Sequence, residues 1–238
     1  MTYKPRFSLE GTTLQHKVLW ARKMAAHNVV RPRELLHPAD LARGAALHAK
    51  LRSGGWTMTS SRHGRTLYAL ARDIRRNGVP GALIDCGARN GGSSVLLGSG
   101  AGDRTVWALD SFEGLPSLTA EDGRDASWAG ELKGSEQMLA EGFAKYAPDV
   151  DYRIVKGWFN ETLPSVHVDK IAVLHIDADL YESVKDVLDA LVDRVSPGGY
   201  VVIDDYQSWD GCRVATDEYL AAHPEITFVD KHYWQVPA

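Results

Sequence analysis

The chain has 238 residues, which is enough for one domain with a full hydrophobic core. Hydrophobic residues make up 44% and charged residues 24%, and no apolar run approaches the roughly 18 residues of a membrane span, so we expect a soluble globular protein. The formal net charge is −4, although residues 1–50 carry nine Lys/Arg against three Asp/Glu. These basic residues are scattered and accompany no motif that reads DNA or RNA, which favours a solvated helical surface over a nucleic-acid site.

The N-terminal sequence MTYKPRFSLEG lacks the apolar core of a signal peptide. The two cysteines, Cys86 and Cys212, are far apart and in no spacing typical of metal ligands. We therefore expect free thiols, a reducing environment and a cytoplasmic protein.

The predicted elements change character near residue 78. Apolar residues recur at helical spacing over 14–27 and 34–52, and a further helix is expected over 62–77 after the polar break LRSGGWTMTSSRHGRT. Strands are then expected at GALIDCG, RTVWALD, DYRIVKG, KIAVLHID and GGYVVIDD, with helices between them. Two closing strands, ITFVDK and HYWQV, are too close for a crossover. The pattern predicts an α/β fold with a mostly parallel, seven-stranded sheet, extra N-terminal helices and a C-terminal antiparallel hairpin.

Aspartates end most of these predicted strands, namely Asp85, Asp110, Asp177 and the pair Asp204–Asp205. In open parallel sheets, ligands bind beyond the carboxyl ends of the strands. We therefore expect these side chains to converge on one edge of the sheet.

The stretch LIDCGARNGGSS combines a strand, a glycine turn and the start of a helix. Gly87, Gly91 and Gly92 would let the backbone approach a ligand closely, and Asp110 could bind both hydroxyls of a ribose. The spacing is G-x-x-x-G-G, not the G-x-G-x-x-G of dinucleotide enzymes, and the loop lacks the lysine of a P-loop. This pattern resembles S-adenosylmethionine methyltransferases, which implies a nucleoside ligand without phosphate.

A metal site is expected at the ends of KIAVLHID and GGYVVIDD. The carboxylates of Asp177, Asp204 and Asp205 could hold one hard divalent cation, and the lack of a His/Cys cluster in the sequence favours Mg²⁺ over zinc. Asp179, expected to point the same way along an extended chain, could take the proton of an activated hydroxyl.

The segments VWALDSFEGLP, VKGWFNETLP, HIDADLYES, SPGGYVVIDDY and the final YW resemble the macrocin O-methyltransferase family, from about residue 56 to the C-terminus. The resemblance implies a Rossmann-like class I methyltransferase domain over 79–238 and a helical lid and subunit-contact segment over 1–78. It also implies an Mg²⁺-dependent enzyme that methylates a sugar hydroxyl of an antibiotic, acts on a small-molecule glycoside and forms a homo-oligomer. Asp179 would be the general base, and Asp177, Asp204 and Asp205 would bind the metal. The residues expected at S-adenosylmethionine are Thr57, Met58, Thr59, Asp85, Gly87, Asn90, Gly91, Ser93, Asp110, Ser111, Gly157, Trp158 and Asp177.

The chain departs from the family pattern in a few places. It has DCG where the family commonly has ETG, and DAD where the family often has DGD. In the family, an apolar pair normally follows the early Thr-Met, whereas this chain continues with the more polar TSSRHGR. The resemblance assigns no role to the acidic loop from Thr119 to Gly130. His63 in that polar segment is a minor candidate for a site role, whereas His175 is expected to be a satisfied core residue. Tyr206 and Trp209 could flank the acceptor, and Arg213 is expected at the surface.

Other functions remain open on the residues alone. A methyltransferase that acts on catechol-like phenols would use similar metal chemistry. A glycosyltransferase could use the D-x-D of HIDADL, although it would not explain the glycine turn and Asp110. A phosphatase nucleophile would end the first strand rather than the fourth, and a binding module without catalysis would gain nothing from four crowded acids.

Overall fold

The computed structural model of the protein describes residues 37–123 and 126–237. Over these residues, helices and strands alternate as the sequence predicts. The helices are α1 Pro38–Ser53, α2 Ser61–Arg76, α3 Gly92–Ala101, α4 Glu136–Tyr146, α5 Phe159–Thr162, α6 Tyr181–Leu191 and α7 Asp210–Ala222. The strands are β1 Ala82–Cys86, β2 Val106–Asp110, β3 Tyr152–Lys156, β4 Ile171–Ile176, β5 Val195–Ile203 and β6 Tyr233–Gln235.

The strands form one sheet in the order β3-β2-β1-β4-β5-β6. Strands β1 to β5 are parallel, and β6 runs antiparallel to β5. The chain winds outward from β1 to β3 and then returns to the other side of β1 with β4. The strand order therefore reverses between β1 and β4, which is where a ligand crevice is expected in a doubly wound sheet.

Helices cover both faces of the sheet. Neighbouring residues of the central strands point to opposite sides, so each side packs against its own set of helices. On one face, Leu83 of β1 and Val173 of β4 pack with buried residues of α1 to α4. On the other face, Ile84 and Leu174 pack with buried residues of α6 and α7. All six residues of β4 are buried, as expected for a central strand that is apolar throughout.

Local sequence explains where the helices begin and which side they bury. The hydroxyls of Ser60 and Ser135 accept hydrogen bonds from the third backbone N–H of α2 and α4, and so cap both helices. In α6, the buried residues follow the i, i+3, i+4, i+7 spacing of an amphipathic helix. These residues are Val184, Val187, Leu188 and Leu191.

The expected seven strands are one too many, since the described residues form six. The segment ITFVDK contributes only an isolated bridge between Val229 and Tyr233. The chain turns sharply there, because Asp230 and Lys231 both adopt positive φ angles, +57° and +54°. Phe228 packs edge-on against Trp234 rather than extending the sheet. The antiparallel end of the sheet is instead the pairing of β6 with β5.

The helix expected over 14–27 lies outside the described residues. From residue 37 onward, the N-terminal helices share a core with the sheet, because Leu51 of α1 and Leu67 of α2 belong to the same buried cluster as Leu83. The division into a segment 1–78 and a domain 79–238 stays a prediction.

Candidate active site

The carboxyl ends of β1, β2, β4 and β5 open into a cleft of about 990 Å³. Most residues that the sequence singles out line it, although they come from separate segments of the chain. Those residues are Thr57, Met58, Thr59, Gly87, Ser93, Asp110, Ser111, Gly157, Trp158, Asp177, Asp179, Asp204 and Asp205. The predicted residues Asp85, Asn90 and Gly91 do not line the cleft.

The glycine turn after β1 fits into a space where a side chain would collide with neighbouring backbone. Gly87 has a φ of +94°, and a Cβ atom there would lie 1.8 Å from the carbonyl oxygen of Asp177. Gly91 caps α3 with a φ of +86°, and a Cβ there would lie 2.7 Å from Leu139. The turn therefore requires glycine for both conformation and space, and it brings the start of α3 to the cleft.

The segment from Trp56 to Thr59 is attached to the start of α3. The Gly92 N–H donates to the carbonyl of Trp56 at 3.1 Å, and the hydroxyls of Thr57 and Thr59 lie 3.0 Å apart. The Asn90 side-chain amide donates to the Gly55 carbonyl at 3.0 Å, so it supports this segment from behind. The N-terminal segment and the glycine turn thus form one continuous cradle.

Asp85 lies beneath this cradle and is fully buried. Its carboxylate accepts hydrogen bonds from the hydroxyls of Ser93, at 2.7 Å, and Ser94. It also lies 2.7 Å from Nδ1 of His175. Burial alone would lower the pKa of His175, but the hydrogen bond and charge of Asp85 outweigh it and raise that pKa. Asp85 therefore orients Ser93, which lines the cleft, and His175 is a buried, hydrogen-bonded core residue.

Asp110 ends β2 with its carboxylate at the cleft. It accepts backbone N–H bonds from Arg89 at 2.8 Å and Phe112 at 2.6 Å. Burial raises the pKa of Asp110, and these two donors offset part of the increase. Two accepted bonds leave lone pairs of the carboxylate available for ligand hydroxyls. The Gly157 N–H donates to the Asp110 carbonyl at 3.0 Å, which places the end of β3 and Trp158 beside it.

Three carboxylates crowd together on the other side of the cleft. Oxygen atoms of Asp177, Asp179 and Asp205 lie within 4.8 Å of one another. Burial and the neighbouring charges raise the pKa of Asp177 well above its usual range, and burial followed by the charge of Asp204 raises that of Asp205. The Oδ2 atom of Asp205 is buried and has no hydrogen-bond partner within the described residues. Such a cluster favours a bound cation.

Asp179 reaches this cluster by a different backbone path from the one expected. The chain is not extended there: Asp179 has a φ of +57°, and the Leu180 N–H donates to the Ala178 carbonyl at 2.6 Å. The turn brings Asp179 back towards Asp177. Aspartate is among the few residues that tolerate this left-handed conformation, which often occurs at functional sites.

Asp204 lies among histidines that the sequence did not place there. Nδ1 of His63 lies 2.6 Å from Oδ1 of Asp204, and the His63 ring stacks on His232 with centroids 4.0 Å apart. Burial would raise the pKa of Asp204, but His63, His175 and His232 together lower it well below its usual range. His63 was only a minor candidate from its polar segment. His232 carried no local signal, because it reaches the site through the pairing of β6 with β5.

The predicted metal ligands therefore belong to three overlapping groups within the described residues. Asp177 and Asp205 cluster with Asp179, whereas Asp204 clusters with Asp177 and His175, and separately with His63 and His232. The first group offers only carboxylate oxygens, the donors that Mg²⁺ and Mn²⁺ prefer.

The remaining sequence candidates have clear positions. Trp209 is buried and lines the cleft. The hydroxyl of Tyr206 donates to Asp217 at 2.6 Å, so this residue supports α7. Arg213 pairs with Asp210 at 3.0 Å and is about half exposed, as expected for a surface charge. Both cysteines are buried free thiols.

The strand order, the glycine cradle and Asp110 define a Rossmann-like α/β protein of the class I methyltransferase type. Comparison with known families agrees: the profile of the Macrocin-O-methyltransferase (TylF) family matches residues 10–234. The chain therefore belongs to this family and is an S-adenosylmethionine-dependent O-methyltransferase. Membership excludes the glycosyltransferase, phosphatase and binding-module alternatives. Within the described residues, no helix has both the length and the apolar character to cross a membrane.

Curated relatives and a solved structure are similar over most of the chain. The demethyldecarbamoylnovobiocin O-methyltransferase of Streptomyces niveus is 36% identical over 201 residues, covering 75% of each chain. The mycinamicin III 3''-O-methyltransferase of Micromonospora griseorubida is 33% identical over 225 residues, covering 84% of this chain and 88% of its own. The structure of the O-methyltransferase NovP superposes with a TM-score of 0.65 at 36% identity, covering 73% of this chain and 78% of its own.

Proposed function

We propose that this protein is an Mg²⁺-dependent O-methyltransferase that methylates a sugar hydroxyl of a glycosylated natural product in antibiotic biosynthesis. The observation that carries the proposal is the carboxylate cluster of Asp177, Asp179 and Asp205, which shares a cleft with the cofactor cradle. The names of the relatives support the acceptor class, because they act on novobiocin and mycinamicin precursors and, in Streptomyces olivaceus, on a rhamnosyl tetracenomycin.

S-Adenosylmethionine supplies a methyl group activated on a sulfonium sulfur. The cradle of Thr57, Met58, Thr59, Gly87 and Ser93 would hold it, with Asp85, Asn90 and Gly91 fixing the cradle from behind. Asp110 and Ser111 would bind the ribose, and Gly157 and Trp158 would lie near the adenine. The Asp110 carboxylate suits this role because two backbone donors fix its orientation.

A bound Mg²⁺ would make the acceptor hydroxyl more acidic. We assign Asp177, Asp204 and Asp205 as its ligands. The residues fit a hard cation, since their donors are carboxylate oxygens. Burial, together with repulsion from neighbouring carboxylates, raises the pKa of Asp177 and of Asp205. To bind the metal, the Asp204 carboxylate would have to give up its contact with His63.

Asp179 would take the proton of the acceptor hydroxyl. In the transfer that this would permit, the O–C bond to the methyl group would form as the C–S bond breaks, with the electron pair of that bond going to sulfur. The turn at Ala178–Leu180 holds the Asp179 carboxylate at the cleft surface, so proton acceptance needs no rearrangement of the backbone.

Two further features of the family resemblance stay proposals. The buried free cysteines fit a reducing compartment such as the cytoplasm. The N-terminal segment 1–78 would act as lid and contact in a homo-oligomer, which light scattering of the purified protein would measure.

The test is calorimetry of S-adenosylhomocysteine binding with and without Mg²⁺, followed by assays on demethyldecarbamoylnovobiocin and mycinamicin III. We expect binding of the nucleoside without metal, a separate Mg²⁺ site that is lost in Asp204→Ala, and Mg²⁺-dependent methylation of a glycoside. Methylation of a catechol but of neither glycoside would contradict the acceptor class. Full activity after removal of divalent metal with EDTA would contradict the metal requirement.

A further inference from the structure

One wall of the cleft is apolar and is separate from the residues assigned above to the cofactor and the metal. It combines residues of the loop between β2 and α4 with one residue that follows β5. The residues of this wall are Leu115, Pro116, Trp128, Leu132 and Trp209. The rings of Trp128 and Trp209 meet edge to face, with centroids 5.4 Å apart and planes at 80°. This geometry is a favourable aromatic pair, and both residues contribute apolar atoms to the lining of the cleft.

The position of Trp209 is fixed relative to the carboxylates. Its backbone N–H donates to the carbonyl of Asp205 at 2.9 Å, and it is the residue that precedes α7. The side chain is 7% exposed and packs in the core of the α6–α7 face. Trp209 therefore lines the same cleft as the carboxylates of Asp179 and Asp205.

The loop that carries Trp128 is also fixed at its base. The Leu115 N–H donates to the Glu131 carbonyl at 2.9 Å, and the Gly130 N–H donates to the Leu115 carbonyl at 2.8 Å. These two bonds hold the start and the end of the loop together beside the cleft, which both Leu115 and Trp128 line.

Asp122 connects this loop to the catalytic turn. Its side chain is 1% exposed, and its carboxylate accepts N–H bonds from Thr119 at 2.7 Å and from Tyr181 at 2.8 Å. Tyr181 begins α6, two residues after Asp179, where a carboxylate also interacts favourably with the helix dipole. A side chain at Gly211 would collide with Asp122, so the start of α7 packs on it as well.

A sugar ring has hydroxyls on its edge and C–H groups on its faces, and an aromatic wall beside carboxylates matches both. We propose that Trp128 and Trp209 form the surface on which the sugar ring that carries the reacting hydroxyl packs, and that Asp122 is the positioning residue that holds this surface beside Asp179. The inference rests on the proposed function, since it takes the acceptor to be a glycoside. It assigns roles to Asp122 and Trp128, which the family resemblance leaves unassigned.

The first test compares Trp128→Ala with Trp107→Ala. Trp107 is also a partly buried tryptophan, but it packs under Arg153 on the sheet and does not line the cleft. The acceptor in this test is whichever of demethyldecarbamoylnovobiocin and mycinamicin III the wild-type enzyme methylates. We expect Trp128→Ala to raise the KM for this acceptor by about tenfold and to leave the Kd of S-adenosylhomocysteine unchanged. Trp128→Phe should recover part of the affinity, because it restores an aromatic face. Trp107→Ala should leave both constants within about twofold of the wild-type values.

The outcomes separate the inference from the proposed function. A normal KM in Trp128→Ala, in an enzyme that methylates the glycoside, would overturn the inference alone. A KM and a cofactor Kd that rise by the same factor would also overturn it, because the loop would then act only through general stability. Failure of the wild-type enzyme to methylate either glycoside, with the nucleoside still bound, would overturn the proposed acceptor class and the inference with it.

The second test compares Asp122→Asn with Glu121→Gln, an exposed carboxylate of the same loop. Asparagine at 122 can still accept one N–H bond but not both, so the loop should loosen over the cleft. We expect a KM for the glycoside raised about threefold to tenfold, with kcat changed by less, and no change in Glu121→Gln. A fall in kcat at constant KM would contradict the positioning role of Asp122.

Discussion

On the β1–β2 side of the cleft, each carboxylate accepts hydrogen bonds from groups of the protein itself. Asp85 accepts bonds from Ser93 and Ser94 and pairs with His175, and Asp110 accepts two backbone N–H groups. On the β4–β5 side, Asp177, Asp179 and Asp205 face one another at less than 4.8 Å. The two sides are built from similar strand-end sequences, LIDCG and LHIDAD, yet their carboxylates have opposite surroundings.

On the proposed function, this difference separates carboxylates that would orient the cofactor from carboxylates that would take part in the reaction. A carboxylate whose lone pairs are mostly satisfied keeps a fixed direction and gains little from a cation, which suits the recognition of neutral hydroxyls. Carboxylates that repel one another are stabilised by a divalent ion or a proton. The carboxylates of the cofactor side are therefore satisfied by the protein, whereas on the proposed function those of the acidic side would be stabilised by a bound cation.

The largest expected effect is on turnover, in Asp179→Asn. Asparagine tolerates the positive φ of this position, so the turn and the fold should persist. Loss of the proton acceptor should lower kcat by about 10²-fold to 10⁴-fold, with the Kd of S-adenosylhomocysteine unchanged. Steady-state kinetics and calorimetry on the same preparation would measure both quantities.

Mg²⁺ affinity of this variant then distinguishes a base from a ligand, because Asp179 lies in the cluster with Asp177 and Asp205. Unchanged Mg²⁺ affinity with lost turnover supports the base. Loss of both would show that Asp179 binds the ion, and a near-normal rate would contradict either role.

On the cofactor side, the sensitive quantity should be stability. Asp85→Ala removes the acceptor of two serine hydroxyls and the partner of buried His175, so it should lower the free energy of unfolding by about 3–5 kcal/mol. The exposed Asp103 in the loop before β2 provides a control. Asp103→Ala should change the free energy of unfolding by less than about 0.5 kcal/mol. Urea denaturation of the metal-free protein measures both. Equal effects of the two substitutions would show that the Asp85 network contributes nothing beyond a surface charge.

The sequence predicts the sheet and its acidic edge well because both depend on short-range signals. Apolar runs such as IAVLHI identify buried strands, and in parallel strands any residue that ends the run must reach the same edge. The glycine turn is equally local, since Gly87 must be glycine to avoid the Asp177 carbonyl. These signals led to the cleft and to Gly87, Asp110, Asp177, Asp204 and Asp205 in its lining.

Other features depend on contacts between distant segments, and local patterns do not encode them. His232 reaches Asp204 through the pairing of β6 with β5, and Asp122 reaches Tyr181 across 59 residues of chain. The missing seventh strand has a different, local cause, because consecutive positive φ angles at Asp230 and Lys231 end the pairing after one bridge. A β-rich composition in ITFVDK predicts a strand but cannot show that the turn which follows is so tight.

The smallest expected effect is a gain of stability on the acidic side, in Asp205→Asn. In the absence of metal, this change removes one of the charges that repel Asp177, and the new amide can donate to the remaining carboxylate. We expect the melting temperature in EDTA to rise by about 2–4 °C, which corresponds to about 1 kcal/mol for a chain of this size. Added Mg²⁺ should raise the melting temperature of the wild-type protein but not that of the variant, because a ligand has been lost. A lower melting temperature of Asp205→Asn in EDTA would contradict the comparison, since it would mean that Asp205, like Asp85, stabilises the protein without a cation.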